Sequence, residues 1–120
     1  MNKIVNTLCA GLISMISLTA TAGNVTNRVP YFTNNQVSAW ETIIYPSSRQ
    51  QLKLHRHDNN RVLVAFTDGT LKVINDKGAI HYLKLKKQQV YFLEKDVPGE
   101  MHTDENVSGH PITLAVIEIL

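Results

Sequence analysis

The chain has 120 residues, with 12 Lys and Arg against 10 Asp and Glu, five histidines and a single cysteine. A net charge of +2 provides no basic stripe for nucleic acid, and one cysteine cannot build a disulfide framework within the chain. The length fits one domain plus a targeting segment.

That segment comes first. Lys3 gives a short basic end, Leu8 to Leu18 form an apolar stretch diluted by Ser14 and Ser17, and Ala20-Thr21-Ala22 has the small-x-small pattern of a cleavage site. Residues 1–22 therefore read as a signal peptide cut before Gly23. The stretch is shorter than the roughly 20 apolar residues of a membrane span, so no stable anchor is expected after cleavage. The mature chain is expected to be periplasmic or secreted. It would then contain no cysteine, since Cys9 leaves with the signal, and must be held by packing, sheet closure, oligomerisation or a metal.

Residues 23–36 are polar, with Asn24, Thr26, Asn27, Thr33, Asn34 and Asn35, and read as a flexible or loosely attached arm. From Val37 the text becomes short apolar runs between turn residues. Val37 to Tyr45 is closed by Pro46-Ser47-Ser48. Gln51 to His57 precedes the Asp58-Asn59-Asn60 turn, and Arg61 to Thr67 follows. Asp68-Gly69 reads as a hairpin signal, then come Thr70 to Asn75, the Asp76-Lys77-Gly78 turn, and Ala79 to Leu85. Gln89 to Glu94, the Pro98-Gly99 turn and Ile112 to Leu120 complete the series. No window sustains a helical period. The chain is all-β, and a barrel or jelly roll is favoured because closure removes exposed edges. Val37 to Ile44 could supply a strand for pairing with a second copy, so a homodimer is one expected assembly. Trp40, Tyr45, Phe66, Tyr82, Tyr91 and Phe92 read as core or wall residues.

The chemistry concentrates in the histidines. His55 and His57 form a His-Arg-His step, and residues two apart on a strand share a face, so both rings can grip one ion. His102, in Pro98-Gly99-Glu100-Met101-His102, could complete a three-histidine set. Strict alternation also places Lys53 on that face, where it would repel an ion. The metal reading therefore needs either a strand that begins at the barrel mouth or a bulge that resets the phase.

At these residues the chain resembles the cupins, small β-barrels whose two short motifs bring metal ligands together. His55-Arg56-His57 matches the central pair of the first motif and Gly69 its closing glycine; Gly99, His102 and Asn106 match the latter half of the second. The resemblance runs from about Trp40 to Leu120 and implies a cupin-type double-stranded β-helix over residues 37–120. It implies a divalent transition metal (iron, zinc, nickel or manganese) at His55, His57 and His102, and a small-molecule ligand at the remaining coordination positions.

The departures are as specific. The glutamate ligand implied by the resemblance should fall at Val62, or at Arg61 by the shorter spacing, and neither binds a cation. Arg49 and Tyr91 replace the opening glycines of the two motifs. Three imidazoles still suffice for a metal centre, and Asp58, Glu94 or Glu100 could add a carboxylate from nearby. Asn106 is expected to tie down the loop carrying His102 from behind the metal. Arg61 would pair with a ligand carboxylate if it points inward, and is otherwise a surface arginine. His81 is a second candidate for ligand contact, otherwise an ordinary strand histidine, and His110 is expected to be exposed. The competing function is a small-ligand-binding module that has lost its metal site.

Overall fold

The computed structural model describes residues 25–120, so the signal-peptide reading lies outside them. Nine strands form in chain order: β1 Asn27–Thr33, β2 Val37–Ile44, β3 Leu52–His55, β4 Arg61–Ala65, β5 Gly69–Asn75, β6 Ile80–Leu85, β7 Val90–Leu93, β8 His102–Asn106 and β9 Ile112–Ile119. A 3-10 turn at Ser48–Gln50 is the one helical piece among the described residues. The strands make a five-stranded sheet in the order β1-β2-β9-β4-β7 and a four-stranded sheet in the order β3-β8-β5-β6. All strand pairs are antiparallel.

Alternation explains the core. On β4, Arg61, Leu63 and Ala65 are buried while Val62 and Val64 are half-buried on the other face. β5 buries Leu71 and Val73 in the same way, and β9 buries Ile112, Leu114 and Val116. Leu63, Ala65, Leu71, Ile112, Leu114 and Val116 meet Trp40, Ile44 and Leu85 in one cluster contributed by both sheets. Among the aromatic residues, Trp40 joins this core and Tyr91 packs against it, whereas Phe66, Tyr82 and Phe92 are exposed.

Four expectations change. The arm is not loose throughout: Asn27 to Thr33 is an edge strand paired with β2, with a register shift between Pro30 and Phe32. All seven of its residues are exposed, Val29, Tyr31 and Phe32 included, and backbone pairing with β2 holds them. Tyr45 N donates to Thr26 Oγ1 at 3.0 Å, and Tyr31 Oη donates to Glu41 Oε2 at 2.6 Å.

Second, β2 has no free edge for a second copy, because β1 and β9 flank it on both sides. Third, Asp68-Gly69 does not make a hairpin. β4 pairs with β7 and β9, β5 with β6 and β8, so these residues carry the chain from one sheet to the other. Glycine is required there by close approach: a Cβ on Gly69 would overlap Ile112 Cγ1, on a side chain with no exposure.

Fourth, β8 is a strand although its sequence, His-Thr-Asp-Glu-Asn, has no apolar residue. It is an interior strand between β3 and β5. Backbone pairing on both sides holds it in place, and its inward positions are free to be polar.

Candidate metal centre

The site is built where β3 ends and β8 begins. Val97, Pro98, Gly99 and Glu100 form a turn in which Glu100 N donates to Val97 O at 3.0 Å, and Gly99 takes φ +79°, as a type II turn requires at its third position. The turn delivers His102 as the first residue of β8, where it is the register partner of His55. The register shifts between Leu52 and His55: three steps on β3 match two on β8. Of the two arrangements that the metal reading allowed, a strand starting at the barrel mouth or a bulge that resets the phase, this is the bulge. Leu52 and His55 both line the cavity, whereas Lys53 and Leu54 are exposed.

His57 lies just past the end of β3. Asp96 fixes it by a two-way clasp: its carboxylate accepts the His57 backbone N–H at 2.7 Å, and its own N–H donates to the His57 carbonyl at 2.9 Å. The three rings therefore converge. His55 Nε2 and His57 Nε2 stand 3.0 Å apart, and ligand atoms of His55, His57 and His102 all lie within 4.8 Å of one another. Ring centroids are 4.5 to 5.3 Å apart.

His55 Nδ1 donates to the Lys53 carbonyl at 2.5 Å, while its Nε2 faces His57 Nε2. His102 Nδ1 stands 3.3 Å from Asp96 Oδ2, within ion-pair range when the ring is protonated. Asp104, two residues along β8 on the same face, places Oδ2 3.4 Å from His55 Nε2 and 3.7 Å from His102 Nε2.

Burial and charge separate the three rings. The hydrogen bond to Asp104 raises the His55 pKa above its ordinary value, aided by the Lys53 carbonyl and opposed by burial. Burial, reinforced by the Arg61 charge, pushes His57 down to about 4. Burial also lowers His102, against the pull of Asp104 and Asp96. At neutral pH, His57 and His102 are held in the neutral form that an ion needs.

The supporting carboxylates are not those expected. Asp58 is exposed and pairs with Arg56 at 2.6 Å. Glu94 is exposed and Glu100 lines the cavity, but Asp96 and Asp104 are the carboxylates beside the histidines. Asp104 was accessible to reasoning once residues 102–106 were read as a strand; Asp96, in a loop, carried no sequence signal.

Asn106 does not back the metal ligands. It is 1% exposed, donates to the Ile44 and His110 carbonyls at 2.8 and 2.7 Å, and accepts from Ser108 N at 2.8 Å. It pins the turn after β8 to the end of β2. Arg61 points inward and is buried, so β4 places an arginine, with Val62 facing away, at the position where the resemblance implied a carboxylate. His81 lies on the cavity wall and is exposed. His110 is exposed, with Nε2 2.8 Å from the Asp68 carbonyl. Arg28, from the edge strand, stacks over the Trp40 ring at 4.1 Å and also lines the cavity, a contribution sequence reasoning missed. The cavity measures about 440 Å³, with apolar walls from Trp40, Leu63, Leu71, Leu114 and Val116 and the histidine cluster among its polar groups.

The sequence matches no family model and no curated protein. Solved structures do match. A cupin domain from Bordetella pertussis aligns with a TM-score of 0.67 at 22% identity, covering 80% of this chain and 94% of that one. An RmlC-like cupin family protein with a double-stranded β-helix fold from Methanocaldococcus jannaschii aligns at 0.60 and 9% identity, covering 79% and 80%. An uncharacterised conserved protein with a double-stranded β-helix domain from Klebsiella pneumoniae aligns at 0.58 and 15% identity, covering 80% and 77%. With two antiparallel sheets, an apolar core between them and this likeness, the chain has the cupin-type double-stranded β-helix fold, a jelly-roll barrel carrying three histidines that could hold a metal ion.

Proposed function

We propose that this chain is an exported cupin-type domain that binds one divalent transition metal through His55, His57 and His102 and acts there on a small organic molecule. One observation carries the reading: imidazole nitrogens from two separate stretches of chain face a common point, His55 Nε2 and His57 Nε2 being 3.0 Å apart. Two imidazoles bound side by side to one ion at about 2.1 Å stand roughly 3.0–3.4 Å apart. The donor set fits iron, nickel or zinc better than manganese, which prefers oxygen ligands. Bound there, such an ion would supply Lewis acidity and lower the pKa of a bound water.

The chain's own residues support that chemistry. Asp96 lies 3.3 Å from His102 Nδ1, where it would leave Nε2 free for an ion. The Lys53 carbonyl does the same for His55. Asp104 lies against both Nε2 atoms and can add an oxygen to the ion or accept a proton from a bound ligand. Export is supported by residues 1–22, whose basic end, apolar stretch and Ala20-Thr21-Ala22 fit a cleaved signal peptide, and the proposed location of the mature domain is the periplasm or outside the cell.

Metal analysis of the purified, reconstituted protein tests the reading. One equivalent of metal, lost in His102→Ala, is expected; less than roughly a tenth of an equivalent overturns it. Arg61 in place of a carboxylate favours a second reading, a metal-free module that holds a small ligand in the barrel. Ligand affinity that survives a chelator unchanged would select that reading.

A further inference from the structure

Arg61 is unexplained by the metal reading. It is 8% exposed and lines the cavity, yet its Nε is buried without a hydrogen-bond partner. Nη2 makes one long hydrogen bond, to the Glu94 carbonyl at 3.5 Å, and a loose ion pair with Asp96 Oδ1 at 3.9 Å. The carboxylates whose field reaches it are Asp96, Asp104 and Glu118. Each is held more closely by something else: Asp96 by the His57 N–H at 2.7 Å, Asp104 by His55 at 3.4 Å, and Glu118 by Asn59 Nδ2 at 3.3 Å. A guanidinium carries five donors in a planar fork, and burying one half-paired is costly unless a planar acceptor completes it.

The surroundings narrow the acceptor. Arg61 lines the same cavity as His55, His57 and His102. The same cavity has apolar lining from Trp40, Leu63, Leu114 and Val116, beside the polar Arg28, Thr42, Asn75 and His81. A ligand that satisfies both ends has a flat anionic head and an apolar body.

We propose that the cavity binds a small organic monocarboxylate, its head group on the Arg61 guanidinium beside the histidine cluster and its apolar body along Trp40, Leu63, Leu114 and Val116. The inference deepens the metal reading and rests on it for the chemistry that follows binding, while the Arg61 contact itself requires no ion. Arg61 is in this sense the residue that sets specificity.

Calorimetric titration with hexanoate and with hexanamide, its neutral counterpart of equal length, tests it on the purified chain with and without zinc. Hexanoate is expected to bind at least about tenfold more tightly than hexanamide. Arg61→Met should bring the two within about threefold of each other while zinc stoichiometry stays at one. Arg61→Lys, which keeps the charge and serves if Arg61→Met does not fold, should weaken hexanoate about tenfold by losing the fork. Equal binding of acid and amide, no binding of either, or an acid preference that persists in Arg61→Met or is undiminished in Arg61→Lys overturns the proposal. Failure to take up zinc while the metal-free protein keeps an Arg61-dependent acid preference overturns the metal reading and leaves this one standing.

Discussion

Asp96 Oδ2 stands 3.3 Å from His102 Nδ1, and the same oxygen accepts the His57 backbone N–H at 2.7 Å. One carboxylate thus sets the orientation of a ring on β8 and the position of another beyond β3. Asp96→Asn keeps the size but removes the charge beside His102 Nδ1. Metal affinity, measured by competition with a chromogenic chelator, should fall about 10–100-fold.

Asn106 gives the contrasting case. Truncation to alanine removes one buried hydrogen bond, to the Ile44 carbonyl, and two part-buried ones, to the His110 carbonyl and from Ser108 N, so Asn106→Ala should destabilise the fold by about 2–4 kcal/mol in urea titrations. Because its amide touches none of the three histidines' ring nitrogens, the metal content per folded molecule should not change.

Gly69→Ala tests the crossing between sheets. The added methyl meets Ile112, a fully buried side chain with no room to retreat, and should cost about 1–3 kcal/mol in the same assay. A change within a few tenths of a kcal/mol would mean that the β4–β5 connection yields instead.

The histidines make stability pH-dependent with opposing signs. His57 and His102 have folded pKa values below the ordinary 6.5, His57 at about 4. The unfolded chain therefore takes up more protons there, and their contribution, full above 6.5, is lost as pH falls through that window. His55 is raised, so its contribution is full below 6.5 and lost as pH rises through its folded value. In metal-free protein, thermal midpoints should fall between pH 6.5 and 4, and less steeply in His57→Asn than in the wild type.

Much of the barrel was legible because alternation leaves a plain trace. The runs Val37 to Tyr45, Arg61 to Thr67, Thr70 to Asn75 and Ile112 to Leu120 read as strands from their apolar pattern, and strands Val37–Ile44, Arg61–Ala65, Gly69–Asn75 and Ile112–Ile119 form there. What was missed shares a physical cause. Strand β8 is held by neighbours on both sides and spends its inward positions on His102, Asp104 and Asn106, so it shows no apolar period. Strand β1 lies at an edge with every residue exposed, and the Asn and Thr residues in and around it read as a polar arm. The histidine set was visible through its motif spacing. The bulge that clears Lys53 from the cavity was one of two alternatives and could not be located, and Asp96 reaches the site from a loop that no period marks.

X-ray absorption at the edge of the bound metal tests the central claim most directly. The account predicts three imidazole nitrogens at about 2.0–2.2 Å in the reconstituted protein, falling to two in His102→Ala. A shell of oxygen atoms alone, unchanged by that substitution, would contradict it.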